Sequence, residues 1–317
     1  MQKKGSILLV SSWILSLLVI FALSLGFRAQ IALKLSGYQK DSLKGYFLLN
    51  AGINRAVYEL KKDTNAYDAL SESWSDNERV FSKISPDENE KEFCTVSYVD
   101  WEGKKIYGVM DEQGKIDINN SSPKVTEELF NSRGLSTDAK ELSKLLAEWI
   151  SSGVETGEEK KIFKNGPLVA NEELLLVLEY FYKDAARARE AYKNIEDLVT
   201  VYSDGKLNIN TAPQETLLIL GRAYAEGEEE KSAAERLSQN VIKLREEKRF
   251  FNDITSISFD ASFDAYELSL WNKINAFLAV KSNYFRINAQ IVVKEASKEA
   301  NAVFKRDAKE IVYWHQG

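Results

Sequence analysis

Two single residues bound the chemistry open to this chain. Cys94 is the only cysteine, and His315, third from the end, is the only histidine. An intramolecular disulfide is impossible, and CxxC metal or redox sites are excluded. Metal sites built on His/Cys pairs, and nucleophilic chemistry of the Ser-His-Asp or Cys-His kind, lack their parts. Paired carboxylates could still serve as acid and base, but no spacing among the 48 Asp and Glu residues asks for it. The net charge of −6 gives no general pull toward nucleic acid or anionic lipid. One peptide bond stands out, that between Gly5 and Ser6, which lies between the basic pair Lys3-Lys4 and a long apolar run.

That run, Ser6 to Phe27, is 22 residues without a formal charge, closed by Arg28. Roughly 20 apolar residues cross a bilayer core as a helix, so this segment can span one, with residues 7–27 in the membrane. A buried core helix fits poorly, because the apolar residues cover every face. A cleaved secretory signal would use Ala22-Leu23-Ser24, after an apolar core that is long for that class. A plain anchor would keep Lys3 and Lys4 in the cytoplasm. In the fourth reading, the placement of Gly5 resembles the leader of type IV pilin-like proteins. That resemblance implies cleavage between Gly5 and Ser6 by a prepilin peptidase, with residues 1–5 as leader. The usual glutamate at the mature fifth position is Val10 here. A subunit with no neighbour in front has no amine for that carboxylate to meet, so Val10 points to the first place in a fibre, although a plain anchor would lack the glutamate too.

The elements that would carry this segment follow from periodicity. Tyr46, Leu49, Ile53, Val57 and Leu60 keep a helical step, predicting one helix over 6–62 that Gly37 and Gly45 could bend. Asp87–Glu92 reads as a solvated loop. Phe93–Val99 and Lys105–Met110 around Glu102-Gly103 read as a hairpin, and Gln113-Gly114 as a turn into a third antiparallel strand, Lys115–Asn119. The motif Gly114-Lys115-Ile116-Asp117-Ile118-Asn119 recurs as Gly205-Lys206-Leu207-Asn208-Ile209-Asn210, and each copy soon meets a proline, Pro123 or Pro213. Each copy reads as turn, brief strand and capped helix start, with Ser122 or Thr211 as the cap and Gln214 completing a capping box; two unrelated strand-to-helix turns are the bland alternative. Helices are expected over 138–150, 171–183, 190–201, 231–248 and 262–280, with Glu226–Glu230 as a solvated turn. Strands return at 284–293, 302–306 and 310–314. The expected fold class is α+β: a long N-terminal helix, an antiparallel pilin-like sheet from 63–119 plus 281–317, and an all-α insertion at 120–280.

The order of several motifs makes the resemblance more specific. After the leader come Asp111-Glu112-Gln113-Gly114-Lys115-Ile116-Asp117-Ile118-Asn119, Leu145–Ile150 with Trp149, Leu207–Ala212, Ser282-Asn283-Tyr284-Phe285 and Tyr313-Trp314-His315-Gln316. Together they resemble the general secretion pathway protein K family, the large minor pseudopilins of the type II secretion system. The resemblance implies a non-enzymatic subunit at the tip of a short fibre. It would sit in the inner membrane as a single-pass protein, N-terminus cytoplasmic and globular part periplasmic. Its implied partners are the other minor pseudopilins, the major pseudopilin, the prepilin peptidase and the inner-membrane assembly platform. Some relatives bind calcium, for which Asp111, Asp117 and Asp204 are conceivable ligands here, although turn-forming and capping roles suit them as well. Relatives often continue the tryptophan motif with acidic residues, where this chain has Ser151 and Ser152, and the disulfide of some relatives is impossible with Cys94 alone.

Two other readings use the same residues. A related pilus or competence fibre could employ the same subunit plan. Alternatively, Asn208–Pro213 with Leu217 and Leu220-Gly221 also resembles the opening of a helix-hairpin-helix module, as in membrane-tethered DNA receptors. Gly221 is followed by Arg222-Ala223-Tyr224 rather than by the usual second glycine, and the acidic run at Glu228–Glu230 would repel phosphate.

Overall fold

The computed structural model describes residues 3–86, 92–151, 163–293 and 296–317. Its first element, α1 (Lys3–Lys62), is one uninterrupted helix of 60 residues, about 90 Å at 1.5 Å per residue. Every described residue from Ile7 to Leu35 is exposed, whereas Leu48, Leu49, Ile53, Ala56 and Leu60 are buried. Ser11 and Ser16 donate their hydroxyls to the carbonyls of Ile7 and Ser12, which hides the polar atoms of an otherwise oily rod.

A short α2 (Glu78–Phe81) leads into β1 (Cys94–Val96), β2 (Tyr98–Val99), β3 (Lys105–Ile106), β4 (Met110–Asp111) and β5 (Ile116–Asp117). The helices α3 (Pro123–Ser132), α4 (Ala139–Ile150), α5 (Glu173–Tyr182) and α6 (Ala185–Ile195) follow, then β6 (Val199–Thr200) and β7 (Leu207–Asn208). Next come α7 (Gln214–Tyr224), α8 (Gly227–Lys248), α9 (Ile257–Asp260), α10 (Ala265–Ile274) and β8 (Leu278–Ala279). The chain ends on β9 (Tyr284–Val293), β10 (Ala296–Lys305) and β11 (Glu310–Gln316).

The main sheet is antiparallel in the order β1-β9-β10-β11, with β4 also paired to β9. Alternation puts Phe285, Ile287, Ala289 and Ile291 of β9 on one face, and these pack with Cys94, Val96 and the buried stripe of α1. Gly45 and Gly52, seven residues apart in α1, face this sheet. A Cβ on Gly45 would stand 2.8 Å from Ile291 Cδ1, and one on Gly52 would overlap Cys94 Sγ. Glycine here permits close approach, not a bend, while Gly37 faces open space. Tyr46, expected on the buried stripe, is exposed, because the stripe runs through Leu48 and Leu49.

A second apolar cluster, built by α3 to α8 and α10, includes Leu129, Leu142, Leu178, Leu217, Leu237 and Leu270, and takes Ile116, Ile118 and Leu278 from the short strands. Three expectations change here. The expected third antiparallel strand is β5, which lies parallel to β6, far along the chain, because Ile116 and Ile118 belong to the helical core. The helix expected at 190–201 stops at Ile195, and that at 262–280 stops at Ile274. Both yield to a two-residue strand, β6 or β8, recruited by one copy of the repeated motif. The acidic turn at Glu226–Glu230 ends in a buried residue: Glu230 accepts from Lys273 Nζ at 2.7 Å and from Ser269 Oγ at 2.8 Å. Of the loop expected at Asp87–Glu92, residues 87–91 lie outside the described residues, as does Ser152.

The repeated motif is a repeat in space. Ile118 N donates to Thr200 O in the first copy, and Ile209 N to Ala279 O in the second, both at 2.9 Å. The side chain of Asn119 accepts from Leu168 N and donates to Leu168 O and Val201 O. Asn210 does the same with Phe251 N, Phe251 O and Val280 O. One asparagine, half-buried in the first copy and buried in the second, thus pins a distant loop in each copy, by the two-way donor and acceptor capacity of its amide. The caps differ from expectation. Ser122 stands at the N-cap of α3 without a side-chain cap bond, and Pro213, not Thr211, holds that position in α7.

Candidate functional site

The four residues Asp111-Glu112-Gln113-Gly114 form the junction between sheet and helices. Asp111 ends β4 and its Oδ1 accepts from Gln113 N at 2.8 Å, starting a 3-10 turn over Glu112–Gly114. Its Oδ2 accepts from Asn208 Nδ2 at 2.9 Å, Thr211 Oγ1 at 2.6 Å and Ser282 Oγ at 2.6 Å. Burial raises the pKa of Asp111, against the pull of these donors. Thr211 was expected to cap a helix. Its hydroxyl serves Asp111 instead.

Glu112 is fully buried and turns the other way. It accepts from Arg286 Nε on β9 at 2.5 Å and from Thr200 Oγ1 on β6, and lies 3.5 Å from Lys115 Nζ. Burial alone would push its pKa up, but the charges of Arg286 and Lys115 outweigh that and hold it at about 2. Gln113 accepts from Asn283 N at 2.5 Å and donates to Lys206 O at 3.3 Å. Gly114 lets the Thr211 backbone close in, since a Cβ would stand 3.2 Å from Thr211 O. The motif that headed the ordered set in the sequence is therefore the hub that locks four distant segments together.

Beside it lies a third buried acid. Asp68 accepts from Ser282 N at 2.7 Å and pairs with Arg306, which also meets Asp63 at 3.3 Å. Burial raises Asp68 to about 7, although Arg306 pulls it down. Nothing in the polar stretch after α1 had singled out Asp68, and Arg286 and Arg306 were concealed in strand-like alternation. Their signal was only that charged residues interrupt apolar strands.

The conceivable calcium ligands stand in three settings. Asp111 takes the four hydrogen bonds above. Asp117 closes a turn, accepting from Asn119 N at 2.9 Å, Asn120 N at 3.2 Å and Asn120 Nδ2 at 2.7 Å. Asp204 accepts from Asn283 Nδ2 at 2.5 Å. Among the described residues, the carboxylates that do gather, with oxygens within 4.8 Å of one another, are Asp63, Asp68 and Glu72. Arg306 already pairs with two of them.

The remaining singled-out residues are placed as follows. Gly5 and Ser6 lie within α1, and Val10 is exposed on it. Cys94 is buried and its thiol pushed up to about 12 by burial, so it is an unreactive core residue. His315 is exposed on β11. Gly221 sits inside α7 with its would-be Cβ 3.0 Å from that of Ala234, and Arg222 is paired with Glu235 and Glu128. This glycine serves helix packing.

α1 is also long and apolar enough to cross a membrane, with a window of mean hydropathy 2.5 that is unburied. A long helix packed on an antiparallel sheet, with a large helical insertion between β4 and β9, recurs in a solved structure. A chain of the GspK-GspI-GspJ complex from the type 2 secretion system of enterotoxigenic Escherichia coli matches it with a TM-score of 0.57. The match covers 90% of this chain and 99% of that one, at 16% identity. The fold is that of a subunit of this secretion complex. No model of a known family matches the sequence, and no curated protein does.

Proposed function

We propose that this chain is a non-enzymatic minor pseudopilin of the protein K kind, placed at the tip of a type II secretion pseudopilus. The observation that carries the reading is α1: one rigid helix, its first half oily and exposed, its second half locked into the sheet by Gly45 and Gly52. The shared fold with a subunit of the GspK-GspI-GspJ complex supports it. The proposed division is leader 1–5, helix 6–62, sheet unit 63–119 plus 281–317 and helical insertion 120–280, with Ile116 and Ile118 lent to the core of the insertion. Prepilin peptidase cuts between Gly5 and Ser6. The N-terminus stays in the cytoplasm, the globular part lies in the periplasm, and the partners are the other minor pseudopilins, the major pseudopilin and the inner-membrane platform. A head of roughly 250 residues is too wide for a shaft position, and Val10 suits a subunit with nothing ahead of it, because a carboxylate there would lie unpaired in lipid.

One experiment on the native-host chain tests both ends of the proposal. Intact-mass measurement of the membrane-extracted protein should find an N-terminus at Ser6, and Gly5→Trp should leave it at Met1. Co-purification with the other pseudopilins should fall several-fold in Val10→Glu. A wild-type chain that begins at Met1, or past the oily segment, would overturn the leader; undiminished co-purification of Val10→Glu would overturn the tip argument.

A further inference from the structure

Between the two copies of the repeat lies an open cleft of about 170 Å³, whose lining includes Ser122 and Val125 from the first copy and Lys206, Thr216 and Leu220 from the second. One side is apolar: Val125 and Leu220 are buried, and Tyr224 stacks on Phe277 with ring centroids 5.0 Å apart. The other side is cationic and rich in donors. Lys206 is exposed there, while Lys115 is buried and shares Glu112 with Arg286. Ser122 begins α3 there with no side-chain cap, and the first turn of α3 holds no acidic residue, which leaves the positive helix end uncompensated.

A further observation points to something missing from this space. Thr216 lines the cavity, is fully buried, and its hydroxyl has no hydrogen-bond partner among the described residues. Its counterpart in the first copy, Thr126, three residues after the equivalent proline, is satisfied by Ser143 Oγ at 2.6 Å and Pro123 O at 3.2 Å. A buried unpaired hydroxyl costs free energy that a ligand atom would recover. The one acid in the lining, Asp117, is already held by Asn119 and Asn120.

We propose that this cleft binds the C-terminal residue of a polypeptide, with an apolar side chain against Val125, Leu220 and Phe277 and the terminal carboxylate toward Lys206, Thr216 and the start of α3. The volume suits one large side chain, since a cavity near 150 Å³ holds a benzene ring. A chain terminus is the part of a polypeptide that joins a carboxylate directly to such a side chain. The cleft would take this ligand whatever the chain's place in a fibre, so the test is independent of leader cleavage.

The test is calorimetric titration of the full-length chain in nanodiscs with acetyl-Gly-Gly-Phe, its C-terminal amide, and 3-phenylpropionate. The peptide acid should bind, the amide should bind about tenfold more weakly or not at all, and added salt should weaken the acid. Lys206→Glu, a surface change outside both cores, should weaken the acid about tenfold and leave thermal stability unchanged. Phe277→Ala should also weaken the acid about tenfold, with a small loss of thermal stability from the broken stack on Tyr224. Equal binding of acid and amide, indifference to Lys206→Glu, or no heat from any probe at millimolar concentration would overturn the proposal. Phenylpropionate binding as tightly as the peptide would overturn the assignment to a polypeptide terminus.

Discussion

Glu112 is the residue on which the junction's electrostatics turn. A carboxylate held at about 2 against an ordinary 4.5 is stabilised by roughly 3 kcal/mol at neutral pH, at 1.4 kcal/mol per unit. The folded pKa is depressed, so this contribution is present in full above pH 4.5 and is lost as pH falls toward 2. In Glu112→Gln the chain should lose about 3 kcal/mol at pH 7, leaving Arg286 and Lys115 buried without their anion. Its remaining stability should also depend less on pH between 4.5 and 2, as read by urea unfolding at several pH values. An unchanged acid slope would remove Glu112 from the account. Asp68 works in the opposite sense: its pKa is raised to about 7, so its contribution favours the fold at low pH and fades as pH rises from 4 to 7. Little of this could be read from residue types. Asp111 was singled out as a turn former and does start a turn, but its partners Asn208, Thr211 and Ser282 lie 97 to 171 residues away, and a local pattern cannot show them.

At the scale of elements, α1 docks by absence. Cys94 Sγ occupies the space a side chain at Gly52 would need, and the neighbouring Val96 would also be touched. Gly52→Leu should therefore lift the helix from the sheet and destabilise the fold by 3 kcal/mol or more, about the upper range for overpacking. Labelling of Cys94 with a maleimide should rise from negligible to measurable in that variant and stay negligible in wild type. A variant that remains unreactive and as stable as wild type would show that the contact is dispensable. The existence of α1, the closing strands and most helices was legible because each has a period: 3.6 residues for the apolar stripes of α4 and α8, two for β9. The two-residue strands were not. β6 and β8 have no period of their own and exist because Ile118 and Ile209 offer backbone donors beside them. The repeated motif marked β5 and β7 but not the partners they recruit, and helical propensity carried the helices before β6 and β8 too far.

The whole molecule is two apolar cores joined by a polar seam, and the seam is thin. Asn208 is its central stitch: the two hydrogens of its amide nitrogen are shared among Asp68 O at 3.1 Å, Asp111 Oδ2 at 2.9 Å and Ser282 Oγ at 2.8 Å, linking the segment after α1, the end of β4, β7 and the approach to β9. Each core is large enough to unfold cooperatively, so their coupling rests on contacts of this kind rather than on shared apolar surface. Asn208→Ala removes both hydrogens of that amide and leaves Asp68 O and Ser282 Oγ short of a donor, at about 1–3 kcal/mol each before relaxation, while Asp111 Oδ2 keeps Thr211 and Ser282. The loss falls on the boundary instead of inside either core. Scanning calorimetry of the full chain in detergent should then change in form: one transition in wild type becomes two in the variant, the helical cluster and the sheet melting apart. A single transition displaced to lower temperature would mean that the cores are fused and the seam is ordinary interior. Two transitions would mean that the long helix and its sheet form a rigid stalk to which the repeat-built head is fastened by hydrogen bonds, able to transmit a load along α1 without sharing its core.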